Sequence, residues 1–267
     1  MSEPPFSRLA IVGVGLIGGS IQQAARRAWP SISLATVDVG GELSGVRGAD
    51  LVVLAAPVLA NIALLPSLTS FVEPAVIVTD AGSTKRAIVA AAQELPLTFI
   101  GGHPMAGAAR GGAANARADL FDGRPWILTP SSRHPPEAVA RLEAFVTGLG
   151  AVPHVMTPEL HDRFVGAVSH LPQLTASALM HIVGKLAGDA GLEIAGAGLM
   201  DTTRLATSPP DIWKDIASTN EDVLREALDA LIRTLSDMRD TLDTGETLEA
   251  VFTSACRWRT TLDRTRS

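Results

Sequence analysis

The run Leu9-Ala10-Ile11-Val12 passes directly into Gly13-Val14-Gly15-Leu16-Ile17-Gly18 and then into residues with helical spacing. An apolar strand, a G-x-G-x-x-G turn and a helix in that order constrain the fold more than any other stretch of the chain. Gly13 permits the tight turn, Gly15 lets the backbone approach a pyrophosphate that any Cβ would push away, and Gly18 lets the helix lie close to the strand. The helix opening at Leu16 and Ile17 points its unpaired N–H groups at the phosphates. Leu34 to Asp38 reads as a second strand, and its terminal acid falls about 20 residues on, where an acceptor for a ribose 2′-hydroxyl is expected. A carboxylate at Asp38 repels a 2′-phosphate, and no Arg or Lys follows before Arg47, so NAD is expected rather than NADP. The competing reading of Asp38 is a strand-end turn residue. Ala56 and Pro57, at the end of the next strand, complete the residues expected against the cofactor.

Composition narrows the class. The chain has 267 residues, 46% of them hydrophobic and 19% charged, enough for one large domain or two ordinary ones with a real core. Its most apolar run, Leu51 to Leu68, is broken by Pro57, Asn61 and Pro66 and reads as a buried strand feeding a helix, not as a membrane span. Met1-Ser2-Glu3-Pro4-Pro5 lacks the pattern of a signal peptide, and the single cysteine, Cys256, allows no internal disulfide, so a reducing cytoplasm is expected. A net charge of −6 without a basic stripe argues against nucleic acid as a partner. The absence of tyrosine excludes the short-chain dehydrogenases, which rely on a Tyr and a Lys.

Further along, Asp50 to Ala56 and Ala75 to Asp80 are short apolar runs of the buried parallel type, separated by helical lengths. Leu97 to Gly102 and Arg124 to Thr129 read as strands, and Pro135-Pro136-Glu137 opens a helix with prolines where the first turn tolerates them. The alternation implies an α/β, doubly wound sheet ending near Met156, with right-handed crossovers. From Thr157 onward Leu160, Phe164, Val168, Leu171 and Leu174 recur at helical spacing, with Thr157 as an N-cap before Pro158 and Glu159. Asn220 to Leu242 supplies another long amphipathic helix. The expected organisation is a dinucleotide-binding domain over 1–156 and an all-helical domain over 157–267. A helical tail of roughly 110 residues buries its apolar face against a second copy, so a homodimer is expected.

Open sheets bind ligands at the carboxyl ends of their strands. Three places there carry chemistry. In Asp80-Ala81-Gly82-Ser83-Thr84-Lys85, Ser83 either caps the next helix or reaches a substrate. In Gly101-Gly102-His103-Pro104-Met105-Ala106-Gly107 a histidine at a strand end is flanked by glycines that let a ligand approach. Imidazole titrates near neutrality and can take a hydroxyl proton while hydride leaves the same carbon; the alternative is a histidine that merely bonds within a turn. In the helical half, Pro172 should kink its helix and free a carbonyl near Val168, close to His170. Arg204 could clamp a carboxylate through paired hydrogen bonds or make a surface salt bridge. His134, His154, His161 and His181 have no ligand-like pairing and receive no role, and no metal site is expected.

Taken together, the chain resembles the prephenate and arogenate dehydrogenases of tyrosine biosynthesis. The matching pieces are GVGLIGGS at 13–20, DAGSTK at 80–85, GGHPMAG at 101–107, LFDGRPWILTP at 120–130, SHLP at 169–172 and DTTRLA at 201–206, with Trp213 nearby. The resemblance implies a Rossmann-like N-terminal domain with a C-terminal dimerisation domain, and oxidative decarboxylation of a dianionic cyclohexadiene by NAD. It implies that His103 accepts the ring hydroxyl proton, that Ser83 orients hydroxyl and nicotinamide, and that Arg204 holds a carboxylate. His170 would contact substrate, Asp201 would influence access to the pocket, and Trp213 would close the site. Removing a buried charge partner such as Arg204 costs roughly 2–5 kcal/mol.

One departure bears on substrate choice: many family members carry a polar Ser-Glu pair after HPMAG, whereas here Ala108-Ala109 precede Arg110. Prephenate is the preferred substrate, with arogenate, dual specificity or a 4-amino-4-deoxyprephenate as alternatives. No regulatory extension or fused mutase is expected from this sequence. Rival readings are the β-hydroxyacid dehydrogenase and imine reductase group, whose helical-half lysine or aspartate motif is not matched by Lys185 or Lys214, and an NAD-sensing module without catalysis, which leaves His103, His170 and Arg204 unexplained.

Overall fold

The computed structural model describes residues 3–38, 40–107 and 111–264. The nucleotide-binding half runs β1 (Arg8–Val12), α1 (Leu16–Ala28), β2 (Ser33–Val37), β3 (Leu51–Leu54), α2 (Val58–Leu68), β4 (Ile77–Asp80), α3 (Arg86–Gln93), β5 (Thr98–Pro104), β6 (Pro125–Thr129), α4 (Pro136–Gly148) and β7 (Val152–Val155). Every residue of β3 and β4 is buried, as strands between two helical layers must be; β3 is apolar throughout, and β4 is apolar at Ile77 and Val78 and ends on buried Thr79 and Asp80. The sheet order is β2-β1-β3-β4-β5-β6-β7. The order reverses at β1, which pairs with both β2 and β3, and the crevice at the carboxyl ends of β1 and β3 is where such sheets take ligands. One core layer packs Ile21, Trp29, Phe121 and Phe145 against the sheet, and the other packs Leu65, Leu68, Ile88 and Phe99.

The expected alternation of strand and helix is interrupted once. The described residues between β5 and β6 form no α-helix, and the two strands pair antiparallel, with His103 opposite Ile127 and Gly102 opposite Leu128. An antiparallel neighbour needs no crossover, so a long irregular connection suffices. β5 also continues two residues past the expected Gly102, placing His103 within the strand.

In the helical half, Thr157 Oγ1 accepts the Leu160 N–H (3.2 Å) and opens α5 (Pro158–Val165). A five-residue π-helical stretch, Gly166–His170, joins it to α6 (Leu171–Leu192). Where a kink is expected at Pro172, the helix changes register over the five residues before Leu171, and the proline stands in the first turn of α6. α7 (Ala197–Thr203), α8 (Pro210–Thr219), α9 (Glu221–Asp240) and α10 (Glu246–Arg264) follow. The chain forms two compact units, one up to Glu221 and one from Asp222, the second built from α9 and α10. Among the described residues no helix is long and apolar enough to cross a membrane.

Candidate active site

The turn after β1 has the geometry that a close phosphate approach requires. Gly13 has φ +95°, and a Cβ there would meet the Ala55 and Ala56 backbone at 3.0 Å. A Cβ at Gly18 would stand 1.9 Å from the Gly13 carbonyl oxygen, whereas one at Gly15 would meet nothing within 4 Å. Space is therefore open beside Gly15 at the start of α1, whose N-terminus has no side-chain cap. Leu16 and Ile17 are half-buried in this first turn. Asp38 follows β2, and the Val37 carbonyl accepts the Gly13 N–H (2.8 Å), which fixes the acid beside the glycine turn. Across the crevice, buried Asn61 accepts the Ala56 N–H (3.2 Å) and donates to the Ala56 carbonyl (2.9 Å), setting the turn that leads through Pro57 into α2.

His103 lies at the carboxyl end of β5 and does not stand alone. Its Nδ1 is 2.8 Å from His161 Nε2, and His161 Nδ1 is 2.7 Å from Asp162 Oδ1. An ionised carboxylate only accepts, so His161 carries its proton on Nδ1 and presents an Nε2 lone pair. His103 must then donate from Nδ1, which leaves its own Nε2 as an acceptor. The chain Asp162–His161–His103 thus places a neutral imidazole with one unshared lone pair, the protonation state of a base. Burial holds His103 well below the ordinary histidine range, and the neighbouring His161, Lys85 and His170 push in the same direction. Burial also lowers His161, against the opposing hydrogen bond to Asp162. His161 and Asp162 have no role assigned from the sequence: His161 lies 58 residues from His103 on another element, with Asp162 next to it, and no spacing rule links them to His103.

Asp162 has a second task. Its Oδ1 accepts the Lys85 N–H (2.7 Å) and its Oδ2 accepts the Arg86 N–H (2.9 Å) and Nε–H (3.2 Å). A carboxylate from α5 therefore caps α3, and the capping role expected as one option for Ser83 is filled by another residue. Burial alone would raise Asp162, but the bonds from His161, Arg86 and Lys85 hold its carboxyl below the usual carboxylate range. Ser83 is half-buried in the turn between β4 and α3. The glycines beside His103 also differ from expectation. A Cβ at Gly101 would strike Thr129 Oγ1 (2.5 Å) and the Lys85 stem, and one at Gly102 the Asp80 carbonyl (2.5 Å), so both make room for protein atoms, not for a ligand.

His170 ends the π-helical stretch, buried, with its ring edge-on to Trp213 (5.9 Å between centroids, 83°). The Asn220 amide nitrogen stands 3.5 Å from His170 Nδ1 and donates to the Asp162 carbonyl (2.9 Å), while Asn220 Oδ1 accepts from Arg86 Nη2 (2.9 Å). His170 Nε2 is buried and has no hydrogen-bond partner among the described residues. One turn on, Gln173 donates to the Leu205 carbonyl (2.8 Å) and accepts from Ser208 Oγ (3.1 Å), tying the segment that carries Arg204 to the His170 face of α6. Arg204 and Asp201 are exposed, and neither makes an ion pair among the described residues, so the surface salt bridge weighed for Arg204 is not formed. Ala108, Ala109 and Arg110 lie outside the described residues.

Burial lowers His170 from 6.5 to about 4. Its unfolded form takes a proton near pH 6.5 and its folded form does not, so the stabilisation is complete above that pH and is lost as pH falls toward 4. It amounts to about 3 kcal/mol. The Tm is expected to drop between pH 7 and pH 5, and His170→Asn to flatten that dependence; an unchanged slope in calorimetry would overturn the assignment.

The prephenate dehydrogenase nucleotide-binding domain family matches residues 10–155, and the prephenate dehydrogenase dimerization domain family matches residues 157–253. The chain is 34% identical over 255 residues to the prephenate dehydrogenase of Bacillus subtilis, covering 86% of this chain and 69% of that protein. It is 30% identical over 257 residues to the cyclohexadienyl dehydrogenase of Zymomonas mobilis, covering 88% of each. The Aquifex aeolicus prephenate dehydrogenase in complex with hydroxyphenyl propionate and NAD+ aligns with TM-score 0.85 and 26% identity over 98% of this chain and 99% of that one. Synechocystis arogenate dehydrogenase aligns with TM-score 0.79 and 29% identity over 97% and 99%. With both family domains matched in order along 10–253, the chain belongs to the prephenate dehydrogenase family.

Proposed function

We propose that the chain is an NAD-dependent prephenate dehydrogenase of tyrosine biosynthesis, with a dinucleotide-binding domain over 1–156 and a substrate and dimerisation domain over 157–267. The observation that carries this is His103 at a strand's carboxyl end, its Nδ1 2.8 Å from His161 Nε2 in a chain that continues to Asp162. NAD, when bound, accepts hydride from the ring carbon that bears the hydroxyl. Gly13, Gly15, Leu16, Ile17 and Gly18 would hold its pyrophosphate and Asp38 its ribose, with Ala56 and Pro57 on the opposite wall. His103 Nε2 takes the ring hydroxyl proton as hydride leaves, which turns the carbinol into a carbonyl conjugated with the ring. Loss of the ring carboxylate as carbon dioxide then sends its electron pair into the ring, and His103 returns the proton to give the phenol of 4-hydroxyphenylpyruvate. Ser83 orients the hydroxyl, and His170, protonated on Nε2 when Asn220 donates to Nδ1, offers a hydrogen bond to substrate. Trp213 covers the His170 ring.

Arg204, exposed and without an ion pair among the described residues, would hold a substrate carboxylate. Arg204→Ala is expected to lower kcat/KM by about 30-fold or more, chiefly through KM, because a charge-assisted pair is lost; an unchanged KM in initial-rate assays would overturn the clamp. A second reading, arogenate as substrate, is favoured by Asp201, exposed one turn before Arg204 and able to meet an ammonium. NADH formation with prephenate and with arogenate separates the two readings, and repetition with NADP tests Asp38. No turnover of either, with NAD still bound, would overturn both.

A homodimer follows from the apolar face of the first helices of this half. Phe164, Val168, Ile182 and Leu186 are 49%, 69%, 50% and 84% exposed in the single chain, too much apolar surface on one helical stripe to face water. Light scattering at micromolar concentration is expected to give twice the chain mass, and a monomeric mass would overturn the proposal. A cytoplasmic location fits a chain whose one cysteine, Cys256, is free and exposed.

A further inference from the structure

Asp80 and Lys85 form an ion pair that is fully buried at the end of β4, and nothing in the proton chain described above uses it. The carboxylate of Asp80 is fully engaged. Its Oδ2 accepts Lys85 Nζ and the Gly82 N–H (2.8 Å), and its Oδ1 accepts the Gly102 N–H (3.0 Å). Gly82 immediately precedes Ser83 and Gly102 immediately precedes His103. One side chain therefore straps the backbone at the ends of two neighbouring strands, β4 and β5, next to the two residues proposed above to act on the ring hydroxyl. Three glycines are fitted to this device. A Cβ at Gly82 would stand 2.8 Å from Asp80 Oδ2, one at Gly101 would meet the Lys85 Cδ at 3.1 Å, and one at Gly102 would meet the Asp80 carbonyl at 2.5 Å. The sequences D-A-G-S-T-K and G-G-H are thus two halves of one internal scaffold.

We propose that Asp80 is a positioning residue that sets the distance between Ser83 and His103 through the Gly82 and Gly102 amides, with Lys85 as its counter-charge. The inference rests on the functional reading above, and it separates two tasks that a buried ion pair can combine. If the pair only neutralises charge, any change that keeps the site neutral is tolerated. If the straps position the two residues, the reach of the carboxylate matters.

Asp80→Glu keeps the charge and adds one methylene, and Asp80→Asn with Lys85→Met removes both charges together. Each is expected to lower kcat by about 10- to 100-fold while the prephenate KM and NAD affinity stay within about threefold, since displacement of reacting groups by an ångström costs on that order. Hydride transfer should become more rate-limiting, so prephenate deuterated at the hydroxyl-bearing carbon should show a larger isotope effect on kcat than with the unaltered enzyme. A kcat within twofold of the unaltered enzyme in Asp80→Glu, with an unchanged isotope effect, overturns the positioning role and leaves the functional reading intact. Slow amide exchange at Gly82 and Gly102 in the unaltered protein is a further requirement that needs no variant, and fast exchange at either overturns the proposal. An unaltered enzyme inert toward prephenate and arogenate overturns the functional reading and the proposal with it.

Discussion

His103→Ala is expected to lower kcat by about a hundred- to ten-thousand-fold while NAD affinity, measured by titration, stays at the unaltered level. The two effects separate because His103 lies on β5, whereas the glycine turn that would hold the dinucleotide follows β1, two strands away from β4 and three from β5 in the sheet. Loss of turnover with binding retained distinguishes a catalyst from an NAD-sensing module, and full activity in the variant would overturn the base assignment. The pH profile of the unaltered enzyme carries the same point. Because burial, reinforced by His161, Lys85 and His170, keeps the His103 imidazole from protonating, the acid limb of kcat/KM is expected well below the ordinary histidine range. An acid limb near pH 6.5 would mean that the site is wetter and less cationic than its geometry implies.

Much of this arrangement is legible in the chain, and what is not has a physical reason. The glycine turn, the buried strands and the Thr157 cap depend on contacts within a few residues, and local patterns record such contacts. The pairing direction of β5 and β6 depends on how a long connection returns, and an apolar run reads alike in a parallel or an antiparallel neighbour. Periodicity marked Leu160, Phe164 and Val168 as one helical face but could not say what covers it, and in the single chain all three are exposed. His161 and Asp162 were silent because their meaning arises only when α5 is laid against α3 and β5. Ser83 precedes α3 in the way that a capping residue does, so a nearby cap was legible and the distant one was not. Gly101 and Gly102 pointed to a close approach, and a close approach exists, but to Lys85, Thr129 and Asp80.

Asp162→Asn is expected to have the second large effect, because the substitution changes where protons sit without removing an atom from the site. The amide nitrogen cannot accept. Placed toward Arg86, it faces that residue's N–H and Nε–H and leaves two donors unpaired, each costing about 1–3 kcal/mol when buried. Placed toward His161, it leaves one buried donor unpaired, the Lys85 N–H, and it donates to His161 Nδ1 and moves the His161 proton to Nε2. That nitrogen then donates to His103 Nδ1, the His103 proton moves to Nε2, and the lone pair that would take the substrate proton is gone. A reversed tautomer in a comparable triad lowers kcat by about 10⁴, so a loss of about a hundred- to ten-thousand-fold in kcat is expected here, with a lowered Tm from the weakened cap on α3. Asp162→Glu separates the two contributions: it restores an acceptor-only group, and partial recovery of kcat without full recovery of Tm would place the catalytic effect in the histidine tautomers and the stability effect in the cap. If Asp162→Asn instead kept kcat within a fewfold while losing Tm, the carboxylate would serve the helix alone, and His103 would have to take its orientation from the Pro104 backbone and the strand.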